Sequence, residues 1–248
     1  HEREGSGERS MNRKCRVLPL LLCMALAAPA FALIVIGGPG AVQEPGGSQH
    51  SLYWHQRAGH FQLLPDDRGE IVFLGDSITD GGNWSEMFHN PLIKNRGISG
   101  DVTQGVLDRL GEVVESKPAK IFLMIGINDL ARGLTEKEIL ANIKSIIRRI
   151  RKKSPETTLY LQSLLPVNPD FPIFPDHTDK GAQIKNINIV LRRMAGDYGA
   201  VFVDLYPLFT VEGDKLNPDF TNDGLHLTGA GYAVWKKAVA PLLPPDAL

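Results

Sequence analysis

Cysteine is almost absent from this 248-residue sequence. Its two cysteines, Cys15 and Cys23, both fall within the first 32 residues. A disulfide framework and a cysteine-ligated metal site are therefore excluded for the remainder of the chain. Because that remainder has no thiol, we expect any nucleophile in it to be an oxygen.

The sequence also lacks an excess of charge of either sign. It has 27 basic and 28 acidic residues, a formal net charge of −1. This balance offers no electrostatic basis for binding nucleic acid or an anionic membrane surface, so we expect neither partner. With 43% hydrophobic and 22% charged residues, the chain has the composition of a folded domain, and its length provides for one domain with a large core.

The N-terminal segment has the pattern of an export signal. A basic stretch at residues 11–16 precedes an apolar run at residues 17–36, which contains the small-residue pattern Ala30-Phe31-Ala32. This pattern predicts a signal peptide cleaved after Ala32, and hence a secreted or periplasmic protein. The apolar run extends far enough that an uncleaved membrane anchor is the alternative, and we expect membrane contact only in that case.

The sequence thus divides into three parts. We predict a leader and signal peptide at residues 1–32, a Gly/Pro-rich linker at 33–47 and a single domain at 48–248. Removal of the first part leaves 22 basic and 25 acidic residues, a net charge of −3.

Short apolar runs alternate with amphipathic stretches after residue 70. Such runs are typical of strands buried on both faces of a parallel sheet, and the alternation predicts a three-layer α/β/α sandwich around five parallel strands. The predicted strands are Ile71–Leu74, Ile93–Arg96, Ile121–Ile125, Leu159–Ser163 and Val201–Asp204. The predicted helices cover about 52–64, 102–113, 135–150, 182–198 and 229–243.

Ser77 follows the first predicted strand in the sequence Gly75-Asp76-Ser77. A serine on a sharp turn between a strand and a helix points its hydroxyl out of the sheet edge, where ligands bind in such folds. The turn is not the G-x-S-x-G elbow, because Thr79 replaces the second glycine. The ordinary alternative is a serine that caps the helix.

Other polar residues follow the neighbouring strands or precede the last helix. Asp223 and His226 stand three residues apart, so that one short loop can orient a histidine base for Ser77. The backbone N–H groups of Ser77 and Gly100, with the side-chain amide of Asn128, are candidate donors to an oxyanion.

Four sequence blocks resemble those of the GDSL or SGNH hydrolases. They are GDSITDG at 75–81, NRGISGD at 95–101, GIND at 126–129 and DGLH at 223–226. Within this family, the sequence most resembles the branch of platelet-activating-factor acetylhydrolase catalytic subunits and bacterial carbohydrate acetylesterases. The resemblance implies a flavodoxin-like fold and ester hydrolysis without a metal or cofactor.

The resemblance also implies residue roles. Ser77 is the nucleophile, Asp223 and His226 are the orienting acid and the base, and Ser77, Gly100 and Asn128 form the oxyanion hole. We expect hydrolysis of short-chain, mainly acetyl, esters of small molecules such as acetylated sugars. A lysophospholipase or thioesterase, and a non-catalytic binding module on the same scaffold, are the alternatives, and the oligomeric state is left open.

The segment from Leu165 to Asp179 leaves the fourth strand on the side of the site. We predict that Phe171 and Phe174 in this segment form a wall of the substrate site, although they can equally cover the core. The acidic residues and histidine of the same segment match no known ligand spacing, so we expect no metal there. These residues are Asp170, Asp176, His177 and Asp179.

Three further residues lie close to the candidate site in sequence. We expect Asp76 and Asp129 to accept hydrogen bonds from loop backbone rather than take part in chemistry. Trp84 is consistent with either a core or a pocket position.

Overall fold

The computed structural model describes residues 50–244, which contain a five-stranded parallel sheet between two layers of helices. The strands of this sheet are β1 Ile71–Gly75, β2 Ile93–Gly97, β3 Lys120–Met124, β4 Thr158–Gln162 and β5 Val201–Val203. The predicted three-layer α/β/α fold is confirmed, and each predicted strand lies within one residue of its observed bounds. The predicted leader and linker lie outside the described residues.

Ten α-helices lie in this part of the chain. They are α1 Leu52–Phe61, α2 Ser77–Asp80, α3 Trp84–Met87, α4 Thr103–Glu115, α5 Ile127–Ala131, α6 Glu136–Lys153, α7 Pro175–Thr178, α8 Gly181–Asp197, α9 Tyr206–Phe209 and α10 Gly229–Val239. A two-stranded antiparallel ribbon is formed by β6 Thr210–Val211 and β7 Lys215–Leu216. None of the helices between residues 50 and 244 has the length and apolarity that a membrane span requires.

The strand order of the sheet is β2-β1-β3-β4-β5. This is the flavodoxin-like order. The second strand, β2, lies on one side of β1, and the third strand, β3, lies on the other side of β1, where the order of the strands reverses. The carboxyl ends of β1, β2 and β3 are level, because Gly75 of β1 pairs in register with Gly97 of β2 and with Met124 of β3. The loops after β1, β2 and β3 therefore meet at the switch point, where ligands bind in folds of this type.

A stack of aromatic side chains lies on one face of the sheet. Phe73, Phe122 and Tyr160 are neighbours on adjacent strands, and their ring centroids are stacked 4.8 and 4.4 Å apart. Trp84 of α3 stacks on Phe73 at 4.1 Å, and Trp235 of α10 packs edge-on against Trp84 at 4.8 Å. Trp84 is thus a core residue, and truncation of any such ring typically costs about 3–5 kcal/mol.

Helices α4, α6 and α8 cover the opposite face and pack against one another in that order. A capping box begins α6, since the Thr135 hydroxyl accepts from the Glu138 N–H while the Glu138 side chain accepts from the Thr135 N–H. The isoleucine stripe of α6 is buried, as its helical spacing predicts.

Two helices are shorter than predicted. Helix α10 ends at Val239, because Pro241 has no N–H to continue an α-helix, and residues 240–242 form a 3-10 turn. Helix α1 ends at Phe61, and Leu63 beyond it is 83% exposed, without an apolar surface to hold another helical turn.

Candidate active site

Ser77, His226 and Asp223 form one hydrogen-bonded row at the carboxyl end of β1. The Oγ of Ser77 lies 2.9 Å from Nε2 of His226, and Nδ1 of His226 lies 2.7 Å from Oδ2 of Asp223. Ser77 begins α2, 149 residues before His226, and both side chains are half-buried. The structure therefore brings together the three residues that the sequence analysis grouped, with the histidine in the middle.

The Asp223 carboxylate is held by its own loop. Its Oδ1 accepts the backbone N–H groups of Leu225 at 2.9 Å and His226 at 2.7 Å. Burial alone raises the pKa of Asp223, but these N–H groups and the His226 ring outweigh burial, so the net pKa is below its usual range. The carboxylate thus remains ionised and fixes the proton of the neutral imidazole on Nδ1, which leaves Nε2 to accept the Ser77 hydroxyl proton.

The candidate oxyanion donors surround the same serine turn. No group in residues 50–244 accepts a hydrogen bond from the backbone N–H of Ser77 or of Gly100. Gly100 has φ +77°, a conformation that a residue with a side chain rarely adopts, and Nη2 of Arg132 donates to its carbonyl at 2.7 Å. Both N–H groups are thus available to a ligand.

Asn128 is buried in the first turn of α5, directly after β3. Its Nδ2 donates to the carbonyl of Asp101 at 2.9 Å, which uses one of its two hydrogens. Its Oδ1 lies 3.0 Å from Nε2 of His177, on α7. Sequence reasoning considered His177 only as a metal ligand and missed this contact, which joins residues 49 positions apart.

The side chain of Asn95 forms hydrogen bonds both to the turn that follows Ser77 and to the end of β2. Its Nδ2 lies within 2.9 to 3.1 Å of the carbonyl oxygens of Thr79, Asp80 and Gly82, and its Oδ1 accepts the N–H of Gly97 at 2.8 Å. One half-buried amide thus holds the backbone that carries Ser77 against the backbone that leads to Gly100.

Asp80, at the end of α2, also connects α2 to the loop after β2 and to helix α1. Its Oδ2 accepts from the hydroxyl of Ser99 at 3.0 Å and from the hydroxyl of Tyr53, on α1, at 2.9 Å. Ser99 therefore links two loops through a hydrogen bond, and helix α1 contacts the turn of the candidate nucleophile through Tyr53.

The two acidic neighbours of the site bind backbone, as predicted. Oδ1 of Asp76 accepts the Ile78 N–H at 3.0 Å and so caps α2, whereas Asp129 accepts both the N–H and the hydroxyl of Thr103. Burial raises the pKa of Asp76 to about 7, and the charges of Asp101 and Asp129 add to this shift against the effect of the Ile78 N–H.

The predicted wall residues differ in their distance from His226. The ring of Phe174 packs edge-on against the His226 ring at 5.1 Å. The Cβ of Phe171 is 2.9 Å from the point that a Cβ on Gly224 would occupy, so Phe171 packs on the loop between Asp223 and His226. Phe174 is therefore placed beside the candidate base, and Phe171 supports the loop that carries it.

The acidic residues and the histidine of the segment from Leu165 to Asp179 do not point toward one common site. Asp170 pairs with Lys215 and Asp179 with Lys180, while His177 contacts Asn128. Within residues 50–244, no group of three or more histidine, cysteine or acidic side chains is arranged to hold a metal ion.

Comparison with known proteins identifies the family of this chain. The model of the GDSL-like lipase/acylhydrolase family matches residues 73–234, which include every residue of the hydrogen-bonded row and the whole sheet except Ile71 and Val72. The match lies within the domain predicted at residues 48–248.

Three similar proteins illustrate the relationship. The human platelet-activating factor acetylhydrolase IB subunit alpha1 is 30% identical over 213 residues, which cover 83% of this chain and 87% of the human protein. A structure from Streptococcus pneumonia, whose name refers to platelet-activating factor, has a TM-score of 0.70 and 29% identity over 77% of this chain and 93% of its own. A GDSL-like lipase from Bacteroides thetaiotaomicron has a TM-score of 0.68 and 26% identity over 76% of this chain and 96% of its own. This chain therefore belongs to the GDSL-like lipase/acylhydrolase family and is a hydrolase of ester bonds.

Proposed function

We propose that this enzyme hydrolyses short-chain, chiefly acetyl, carboxylic esters through a covalent intermediate on Ser77. The observation that carries the proposal is the row from Ser77 Oγ through His226 to Asp223, with contacts of 2.9 and 2.7 Å. A serine hydroxyl is a weak nucleophile at neutral pH, and a neighbouring base that removes its proton as it attacks activates it.

In the first half of the proposed reaction, Ser77 Oγ attacks the ester carbonyl while His226 Nε2 takes its proton. The negative charge that develops on the carbonyl oxygen is stabilised by the N–H groups of Ser77 and Gly100 and by the second amide hydrogen of Asn128. The imidazolium, paired with Asp223, then donates its proton to the leaving alcohol, and the acyl group remains on Ser77.

In the second half, water replaces the alcohol. His226 takes a proton from this water as it attacks the acyl carbonyl, and the same three donors stabilise the second tetrahedral intermediate. Return of the proton to Ser77 Oγ releases the carboxylic acid and restores the enzyme.

A short acyl group is supported by the packing behind the serine turn and by one relative. The core beneath Asp76 and Ile78 is closed by buried apolar side chains such as Ile127, Leu164 and Leu225. The space among them is only about 10 Å³, so the described part of the chain leaves a long acyl chain no channel into the core there. The similar human protein is named as an acetylhydrolase.

A polar alcohol, such as a sugar, is supported by the rim of the site. Hydrogen-bonding groups are exposed beside Gly100, namely the hydroxyl of Ser99 and the guanidinium of Arg132. These groups favour an alcohol that presents hydroxyl groups over one that presents only hydrocarbon.

Hydrolysis of p-nitrophenyl esters of increasing chain length, together with acetylated sugars, tests this proposal. We expect kcat/KM to be highest for acetate and to fall steeply beyond butyrate, and Ser77→Ala to abolish hydrolysis, whereas the exposed control Ser145→Ala retains it. A maximum at long acyl chains would instead indicate a lysophospholipase or thioesterase, and full activity of Ser77→Ala would rule out Ser77 as the nucleophile.

We also propose that residues 1–32 direct export and are removed after Ala32. The support is the order of basic, apolar and small residues in that segment. Mass spectrometry of the N-terminus of the exported protein should find Leu33 first. An intact N-terminus in the membrane fraction would favour an uncleaved anchor.

A further inference from the structure

Two hydrogen bonds determine which way the Asn128 side chain faces. Its Nδ2 donates to the Asp101 carbonyl at 2.9 Å, and its Oδ1 lies 3.0 Å from His177 Nε2. Rotation of the amide by 180° would place Oδ1 against the Asp101 carbonyl oxygen. It would also place the NH₂ group against His177 Nε2, where it meets a hydrogen in the tautomer that carries the ring proton on Nε2. Both bonds would be lost inside a buried site, which typically costs about 1–3 kcal/mol for each unsatisfied group.

We propose that His177 is a positioning residue that orients Asn128 as an oxyanion donor. The inference rests on the proposed function, because it gives His177 a role only if Asn128 stabilises the oxyanion. The His177 Nε2–H donates to Asn128 Oδ1, which leaves the second hydrogen of Nδ2 in a fixed direction for the substrate. A preorganised donor stabilises the transition state without reorganising at the moment of reaction.

The charge state of His177 suits this role. Burial lowers its pKa, and the neighbouring His226 lowers the pKa further. His177 is therefore neutral at neutral pH, and its hydrogen bond to Asn128 requires the tautomer that carries the proton on Nε2. A neutral ring also avoids placing a second positive charge near His226 when that residue becomes an imidazolium.

The element that carries His177 contacts both parts of the site. Helix α7 is a single turn that packs against α5, where Asn128 lies. Phe174, the residue before this turn, packs against both the His177 ring at 5.8 Å and the His226 ring at 5.1 Å. The position of α7 is therefore defined relative to the candidate base as well as to the candidate donor.

Kinetics of the full-length protein with His177→Leu, His177→Gln, Asn128→Ala and the double variant His177→Leu/Asn128→Ala test this role. Loss of a whole oxyanion donor typically lowers kcat by about 10²–10³-fold, which we expect for Asn128→Ala. We expect His177→Leu to lower kcat by roughly 10-fold to 100-fold with little change in KM, because the amide is present but misdirected. The glutamine side chain can donate from a similar position, so His177→Gln should restore kcat to within about fivefold of wild type.

The double variant separates positioning from a merely structural effect. If His177 acts through Asn128, His177→Leu/Asn128→Ala should have the kcat of Asn128→Ala alone. The exposed control His60→Leu should retain wild-type kcat, and the melting temperature of each variant reports whether it is folded. If His177→Leu does not fold, His177→Ala provides the same comparison with a smaller side chain.

Three results would overturn the inference. These are wild-type kcat in His177→Leu, a loss that His177→Gln does not restore, and a further drop in kcat when His177→Leu is added to Asn128→Ala. A different result, wild-type kcat in Asn128→Ala, would show that the oxyanion role in the proposed function is wrong, and it would remove the basis for the inference with it.

Discussion

Gly97 at the end of β2 lies against Asp80 at the end of α2, so that a Cβ on Gly97 would come within 2.2 Å of the Asp80 backbone nitrogen. Real Cβ atoms do not approach backbone this closely. The contact brings the turn that carries Ser77 and the loop that leads to Gly100 together, and Asn95 holds both through its hydrogen bonds. The spacing between the candidate nucleophile and one candidate oxyanion donor thus depends on a residue without a side chain.

We predict that Gly97→Ala separates these two segments. The added methyl group should lower the free energy of unfolding by about 1–3 kcal/mol and should lower kcat as well, because Gly100 moves relative to Ser77. Denaturant unfolding and steady-state kinetics measure the two effects. Gly196→Ala, on an open stretch of α8, is the matched control and should raise stability slightly. Wild-type stability and turnover in Gly97→Ala would contradict the prediction.

Asp76 should make stability depend on pH. Its pKa is 3.8 in an unfolded chain and about 7 in the folded protein, where burial is the main cause of the increase. Between these values the folded state keeps a proton that the unfolded state has lost, so the contribution of Asp76 to stability falls as pH rises from about 4 to 7. The limiting slope for one such group is about 1.4 kcal/mol per pH unit.

Asp76→Asn tests this prediction, since an amide does not titrate and its Oδ1 can still accept the Ile78 N–H. Measured by urea unfolding at pH 4 to 8, the stability of the variant should rise relative to wild type as pH increases. The exposed control Asp197→Asn should show no comparable trend. A stability difference that is constant across this range would contradict the assignment.

Asp223→Asn should inactivate the enzyme without unfolding it. The Oδ1 of asparagine can keep the two backbone N–H groups that Oδ1 of Asp223 accepts, but its NH₂ group would then face His226 Nδ1. His226 would have to accept on Nδ1 and carry its proton on Nε2, where it cannot take the proton of Ser77. We expect kcat to fall by on the order of 10³–10⁴-fold with little change in melting temperature. Retention of even one-tenth of wild-type kcat would contradict the proposed role of Asp223.

Phe174 should contribute to substrate binding more than Phe171 does. Its ring packs on the ring of His226, the candidate base, whereas Phe171 packs on the loop around Gly224. We predict that Phe174→Ala raises KM by about 10-fold, because the substrate loses one partly buried aromatic contact. Phe171→Ala should chiefly lower the free energy of unfolding. Ile189→Ala, an exposed position on α8, is the control. A larger KM effect from Phe171→Ala would reverse the assignment.

Local sequence was enough to predict the sheet and the contact between Asp223 and His226, whereas the resemblance of four sequence blocks was needed to predict that this pair meets Ser77. Short apolar strands have a clear pattern, and parallel topology places the residues after β1 and β3 at one edge. Asp223 and His226 share one loop, so their contact needs little more than local geometry.

Contacts made by isolated residues far apart in sequence were not predictable in the same way. His177 reaches Asn128 from a four-residue helix that has no periodic pattern, and Tyr53 reaches Asp80 from a separate helix. Trp84 precedes β2 without an apolar repeat around it, so only the packing of α3 on Phe73 shows that it is a core residue. Each of these contacts depends on how elements pack in three dimensions, which residue type and spacing do not encode.

Covalent labelling with a fluorophosphonate, followed by tandem mass spectrometry, tests the central claim most directly. This reagent reacts with a serine that an adjacent base activates, and the hydrogen bond from Ser77 to His226 provides such a base. We predict a single adduct, on Ser77, that is absent from Ser77→Ala and strongly reduced in His226→Ala. An adduct on Ser99, or equal labelling of wild-type protein and Ser77→Ala, would contradict the account.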